Sequence, residues 1–137
     1  MVQVGEKPLY EGGVVMFESI KYESMAYLGF ANVKVWAQDG KLRYSKEVMR
    51  ADDNTDDAVS PMTVEEFSKR LDILGVKDWK KHYEPVGVMV LDGESWTVTY
   101  EDSDYKKYTK SGDNEYPANW KKFLKLLSEV AGDISII

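Results

Sequence analysis

Three segments set aromatic rings around paired lysines: WKKHY at 79–83, YKKY at 105–108 and WKKF at 120–123. Rings that stack bases beside cations that hold phosphates are the equipment of a single-strand nucleic-acid binder. Amphipathic packing accounts for two of the three more simply. On a helix, residues three or four apart share a face, so Trp79 with Tyr83 and Trp120 with Phe123 turn inward while the lysines stay in water. Along a strand, Tyr105 and Tyr108 fall on opposite faces. A formal net charge of −6 also opposes general affinity for nucleic acid or an anionic membrane, which needs clustered Lys and Arg. Neither nucleic acid nor membrane is an expected partner.

Other chemistries have weaker footing. Asp52, Asn54 and Asp56 reproduce the D-x-N-x-D opening of a calcium loop, but the glycine position holds Asp57 and the bidentate glutamate position holds Thr63. A solvated acidic loop over 51–61 is the favoured reading. His82 is the single histidine, which excludes two-histidine zinc patterns. On a helical turn it would pair with Asp78, four residues earlier, and otherwise it reads as a surface residue. Ser95 and Ser103 lack the G-x-S-x-G context of an activated serine. Carboxylate pairs drawn from Asp92, Glu94, Glu101, Asp102, Asp104 and Asp113 carry no specificity, because acid–base work needs a defined separation and unlike environments. There is no cysteine and no phosphate-cradling glycine loop. No catalytic residue, metal or cofactor is expected.

The elements that must hold these residues follow from periodicity. With 43% apolar and 31% charged residues, 137 residues suit one domain with its own core. Residues 1–12 read as a loosely ordered lead-in. Strands are expected over 14–22, 27–37 and 41–48, the last two joined at Asp39-Gly40, a strong hairpin signal. Ala31, Val33 and Val35 share one face of the second. Thr63 and Glu66 form a capping box for a helix carrying Val64, Phe67, Leu71 and Leu74, ended by Gly75. A short helical turn over 77–83 stops at Pro85. Strands follow over 86–91 and 94–101, joined at Asp92-Gly93, with Trp96, Val98 and Tyr100 on one face. A further strand is expected over 103–112. Gly112 and Asn114 suit a tight turn, and Pro117 suits the first turn of a last helix striped by Trp120, Phe123, Leu124, Leu127 and Ala131. The terminal DISII reads as an edge strand or a frayed tail. Runs of strands separated by helices predict an α+β fold: a single, mostly antiparallel sheet with two main helices packed on one face.

In the second half, Trp79 and Tyr83, then LDGESW at 91–96, then SGDNEYPANW at 111–120, resemble a pattern of small uncharacterised bacterial proteins: Trp-x3-Tyr, Asp-Gly-x-x-Trp, and Gly-x-Asn-x-Tyr-Pro-x-Asn before an aromatic residue. Gly112, Asn114, Tyr116, Pro117, Asn119 and Trp120 match it. The resemblance covers 79–127 and implies a bacterial α+β protein without an assigned activity. It suggests that Trp79, Tyr83, Trp96, Tyr116 and Trp120 form one aromatic cluster. A core is the favoured reading of that cluster. The competing one is a ligand groove with Asn114 and Asn119 at its mouth and free N–H groups at the helix start.

The N-terminus lacks the basic start and apolar run of a signal peptide, and no apolar run approaches the about 20 residues of a membrane span. A cytoplasmic protein is expected. The favoured function is non-catalytic: a protein-interaction module whose acidic surface meets a partner with a basic surface. The alternative is a small hydrolase or small-molecule binder using the aromatic groove and nearby carboxylates. A third reading is a homodimer paired through terminal strands.

Overall fold

A computed structural model describes residues 17–27, 29–49, 54–87 and 93–134. In it seven strands form one sheet: β1 (Phe17–Ala26), β2 (Gly29–Gln38), β3 (Lys41–Val48), β4 (Thr55–Val59), β5 (His82–Tyr83), β6 (Glu94–Asp102) and β7 (Lys107–Asp113). Two helices, α1 (Val64–Leu74) and α2 (Trp120–Ala131), accompany it, with a 3-10 turn over Val76–Asp78 after α1. The spatial order is β4-β3-β2-β1-β6-β7-β5. Every pairing is antiparallel except that of β5 with β7. The fold is α+β with a mostly antiparallel sheet. No helix among the described residues is long and apolar enough to cross a membrane.

Period-two alternation explains which face is buried. Registered across five strands, one rung runs Tyr44, Val35, Ile20, Tyr100, Tyr108, and the next Lys46, Val33, Tyr22, Val98, Lys110. A third runs Val48, Ala31, Ser24, Trp96, Gly112. Ala31, Val33 and Val35 are buried together, as are Trp96, Val98 and Tyr100. Two lysines at the ends of the middle rung are buried as well. The Lys46 ammonium donates to the Asp133 carbonyl at 3.1 Å, and that of Lys110 to the carbonyls of Lys77 and Trp79 at 3.0 and 2.7 Å. Charge-assisted hydrogen bonds of this kind compensate an ammonium taken from water. Lys77, on the 3-10 turn, lies over the rings of Tyr100 and Tyr108 and 3.3 Å from the buried Asp102 carboxylate.

The β2–β3 hairpin turns at Asp39 and Gly40, both with positive φ, the geometry of a type I′ turn. Thr63 Oγ1 accepts from the Glu66 amide, and Gly75 closes α1 in the left-handed conformation. Val64, Phe67 and Leu71 are buried along α1. Leu126 and Val130 widen the buried stripe of α2 beyond its expected residues. Arg70 and Glu129 link the helices through two hydrogen bonds of 2.6 and 2.8 Å.

Several expectations need correction. The acidic segment 51–61 is not all loop, because Thr55–Val59 is edge strand β4 on β3. An edge strand pairs on one side only, so polar residues cost it little and its composition imitates a loop. Asn54 is not poised for a cation: its side chain donates to the Val48 carbonyl and accepts from the Val48 amide. Asp52 lies outside the described residues, as do 1–16, 88–92, which held most of one expected strand, and 135–137 of the terminal DISII.

Candidate functional site

The helical turn expected over 77–83 ends early. After Asp78 the chain extends, and His82–Tyr83 joins β7 as a parallel edge strand. Lys110 holds the carbonyls that precede this change of course, and Ser111 N–H donates to the Lys81 carbonyl at 3.0 Å. His82 therefore does not face Asp78 across a helical turn. Trp79 and Tyr83 do reach one aromatic assembly, but the sheet brings them there rather than a helix face.

Trp96 is its centre. Its ring lies 4.4 Å from that of Trp120, 5.9 Å from Tyr83, 6.2 Å from Trp79 and 6.4 Å, near-parallel, from Tyr116. Trp79 also meets Trp120 and Phe123, and Tyr22 meets Trp120 and Phe123 edge-on. Each such pair contributes about 0.5–1.5 kcal/mol beyond area burial. Trp96 is 1% exposed, and its indole N–H donates to the Glu115 carbonyl at 2.9 Å.

One side of the assembly opens to solvent as a groove of about 900 Å³, lined by Trp79, Tyr83, Tyr116, Pro117, Asn119 and Trp120. Lys80, Lys121 and Lys122 also line it, with Asp78 as its one acidic residue. Among the named candidates, Trp96 is core beneath the groove and Asn114 lies away from its lining. Asn119 is a latch: its amide donates to the Leu74 carbonyl at 2.7 Å, and its oxygen accepts from the Trp79 indole at 3.1 Å. That side chain ties the end of α1 to the start of α2 and does not cap α2. The first turn of α2 carries no acidic residue, so Lys121 and Lys122 add to the positive end of the helix dipole.

The turn 114–119 also differs from expectation. Gly112 is not in a turn; it is a β7 residue opposite Trp96 on a buried rung. The left-handed residue is Asn114, φ 58, whose side chain accepts from the Glu94 amide at 2.8 Å while its own amide donates to the Glu94 carbonyl at 2.9 Å. Pro117 precedes α2 by three residues, and its carbonyl accepts from the Trp120 amide.

Sequence reasoning missed the role of Glu94. Its carboxylate accepts from the Tyr116 hydroxyl at 2.7 Å and from the Ser24 hydroxyl. Alternation was the available signal, since Glu94 lies two residues before the inward Trp96. Burial, opposed by the Ser24 hydrogen bond and reinforced by the Glu94 charge, pushes the Tyr22 phenol up to about 12. The Tyr116 phenol is raised by its burial, then by its hydrogen bond to Glu94 and that charge. In the unfolded chain a phenol ionises near 10. The folded state keeps the Tyr22 proton to higher pH, so its stabilising contribution is full below about 10 and is lost as pH rises to about 12. Tyr22 alone should lower stability by about 1.4 kcal/mol per pH unit in that window. Urea midpoints at about pH 9 and about pH 11 check this, and Glu94→Gln should move phenolate formation to lower pH in an ultraviolet titration.

Comparison with known proteins found no matching family model, curated protein or solved structure.

Proposed function

We propose that this protein is a binding module whose aromatic groove takes an acidic, ring-bearing segment of a partner protein. The observation that carries this reading is the groove itself: a cleft of about 900 Å³ with tryptophan and tyrosine walls and lysines outnumbering its single carboxylate. Its size falls within the about 300–1,000 Å³ of ligand clefts. Aromatic walls favour a ring or proline side chain, and Lys80, Lys121, Lys122 and the positive end of α2 favour carboxylates beside it. None of these three lysines makes an ion pair among the described residues. The net charge of −6 favours a basic partner elsewhere on the surface, but the groove has the opposite local sign. Both helices are taken to cover the same sheet face: a bulge between Phe17 and Ser19 turns Phe17 to the face of Ile20 and Tyr22, and Phe17 meets Phe67 of α1 while Tyr22 meets Phe123 of α2.

A hydrolytic reading has less support. Glu94 is engaged by Tyr116 and Ser24, and His82 is opposite Ser111, whose neighbours Lys110 and Gly112 point to the buried face; the histidine thus serves the other side of the sheet.

An acidic peptide bearing a tyrosine, titrated against the full chain, is expected to shift the indole N–H signals of Trp79 and Trp120. Joint replacement Lys121→Glu and Lys122→Glu should weaken binding by about tenfold or more, leave thermal stability unchanged and remove most of its salt dependence. Equal binding of the charge-reversed peptide would overturn the acidic-ligand reading. Shifts confined to other surfaces with a basic peptide would restore the basic-partner one.

A further inference from the structure

At the β5 edge of the sheet, on the face away from the groove, three metal-binding side chains converge. His82 pairs with Ser111 in the parallel β5–β7 register, and Tyr83 pairs with Gly112. Because Gly112 belongs to a buried rung, Ser111 and His82 face the other side. Asp113, two residues past Ser111, and Glu84, two past His82, come round to the same place. His82 Nε2 lies 3.4 Å from Asp113 Oδ2 and 3.8 Å from Glu84 Oε2, and the three groups offer donor atoms all within 4.8 Å of one another.

The outer atoms of this set are held. The Ser111 hydroxyl lies 2.8 Å from His82 Nδ1 and 3.4 Å from the Lys81 carbonyl. Metal binding through Nε2 uses the tautomer in which Nδ1–H donates to Ser111 Oγ, the serine proton then turning to the Lys81 carbonyl. In that tautomer Nε2 presents a lone pair to the two carboxylates. The other Asp113 oxygen accepts from the Ser95 hydroxyl at 2.7 Å. A lone pair facing two carboxylates is repulsive unless a positive charge sits between them, either a proton on the ring or a metal ion. Around a tetrahedral ion with bonds of about 2.0–2.2 Å, neighbouring donors stand about 3.3–3.6 Å apart, a range the His82–Asp113 spacing meets and that small rotations of the exposed Glu84 side chain bring within its reach.

We propose that His82 Nε2, Asp113 Oδ2 and Glu84 Oε2 bind a late first-row divalent cation of the zinc class, with water completing the coordination. One imidazole and two carboxylates suit such an ion better than magnesium, which prefers oxygen donors and retains its waters. Ser111 and Ser95 orient the ligands in the way that outer hydrogen bonds tune metal sites. The set shares no side chain with the aromatic groove, so the peptide titration and the metal titration succeed or fail separately.

His82 is the only histidine, so its ring signals in a nuclear magnetic resonance spectrum need no assignment by mutation. Zinc chloride added to the full chain is expected to shift both ring protons along one saturable curve at one equivalent, with magnesium chloride leaving them in place. Asp113→Asn and Glu84→Gln should each weaken zinc binding by about 10–100-fold, and Ser95→Ala by a smaller factor in the same direction. Thermal melts of the metal-free variants confirm that each stays folded. Ring signals unmoved at millimolar zinc, or an identical zinc response in Asp113→Asn, would overturn the proposal and leave a protonated His82 ion pair in its place.

Discussion

Trp96→Ala is expected to destabilise the protein by about 3–5 kcal/mol, the usual range for emptying a buried tryptophan site. The side chain is 1% exposed and touches the rings of Trp79, Tyr83, Tyr116 and Trp120, which come from two stretches of chain, 79–83 and 116–120. Three of these neighbours are held from collapsing into the space: Trp79 by Asn119, Tyr116 by Glu94, and Tyr83 through its hydroxyl, which accepts from the Lys80 amide. A domain of this size has about 5–15 kcal/mol in total, so much of the folded population is at stake. Equilibrium urea unfolding checks it through a lower midpoint at unchanged slope. Trp96→Phe restores part of the ring packing but leaves the Glu115 carbonyl without its indole donor, and should recover part of the loss. A cost below about 1.5 kcal/mol for the alanine variant would show that the cluster is loosely packed and that Trp96 is not its centre.

Gly112→Ala is expected to cost about 2–4 kcal/mol, large for the addition of one methyl group. A Cβ built on Gly112 would stand 2.4 Å from the Trp96 indole nitrogen and 2.6 Å from the Glu115 carbonyl oxygen. Those two atoms are the donor and acceptor of the hydrogen bond that fixes Trp96, so the methyl group must displace one of them. Overpacking costs about 1–3 kcal/mol and the displaced hydrogen bond about 1 more. The glycine is required for space and not for a positive φ, since the left-handed residue nearby is Asn114. Denaturation of Gly112→Ala beside Gly40→Ala separates the causes. Nothing lies within 4 Å of a Cβ at Gly40, where only the φ of 75° strains the alanine. Gly112→Ala should also perturb the Trp96 indole N–H signal, which a purely conformational penalty would leave alone.

Legibility in the sequence followed the range of the interactions. The Asp39-Gly40 turn, the Thr63 cap and the Gly75 stop are settled within a few residues, and period two located the buried faces of β2 and β6. β4 has the composition of a loop because an exposed edge strand needs no apolar pattern, and 79–83 has the ring spacing of a helix face. What decided 79–83 is non-local: Lys110 takes the carbonyls of Lys77 and Trp79, and β7 offers an open edge. Of the seven aromatic and asparagine candidates, Trp79, Tyr83, Tyr116, Asn119 and Trp120 line the groove, Trp96 lies beneath it and Asn114 clasps Glu94. Burial could not be assigned among them from spacing, because a tryptophan serves equally as floor or wall.

By itself, then, the sequence determined the local units: the β2–β3 hairpin, where α1 starts and stops, and the buried faces of β2 and β6. Those outcomes depend on φ preference, capping and side-chain period, all confined to neighbours in the chain. The tertiary structure alone decided that five strands share continuous rungs, that rings from distant segments leave one side open with lysines on it, and that the parallel pairing of two residues sets His82 beside Asp113. Each of these depends on contacts between segments tens of residues apart, for which the chain carries no local signal.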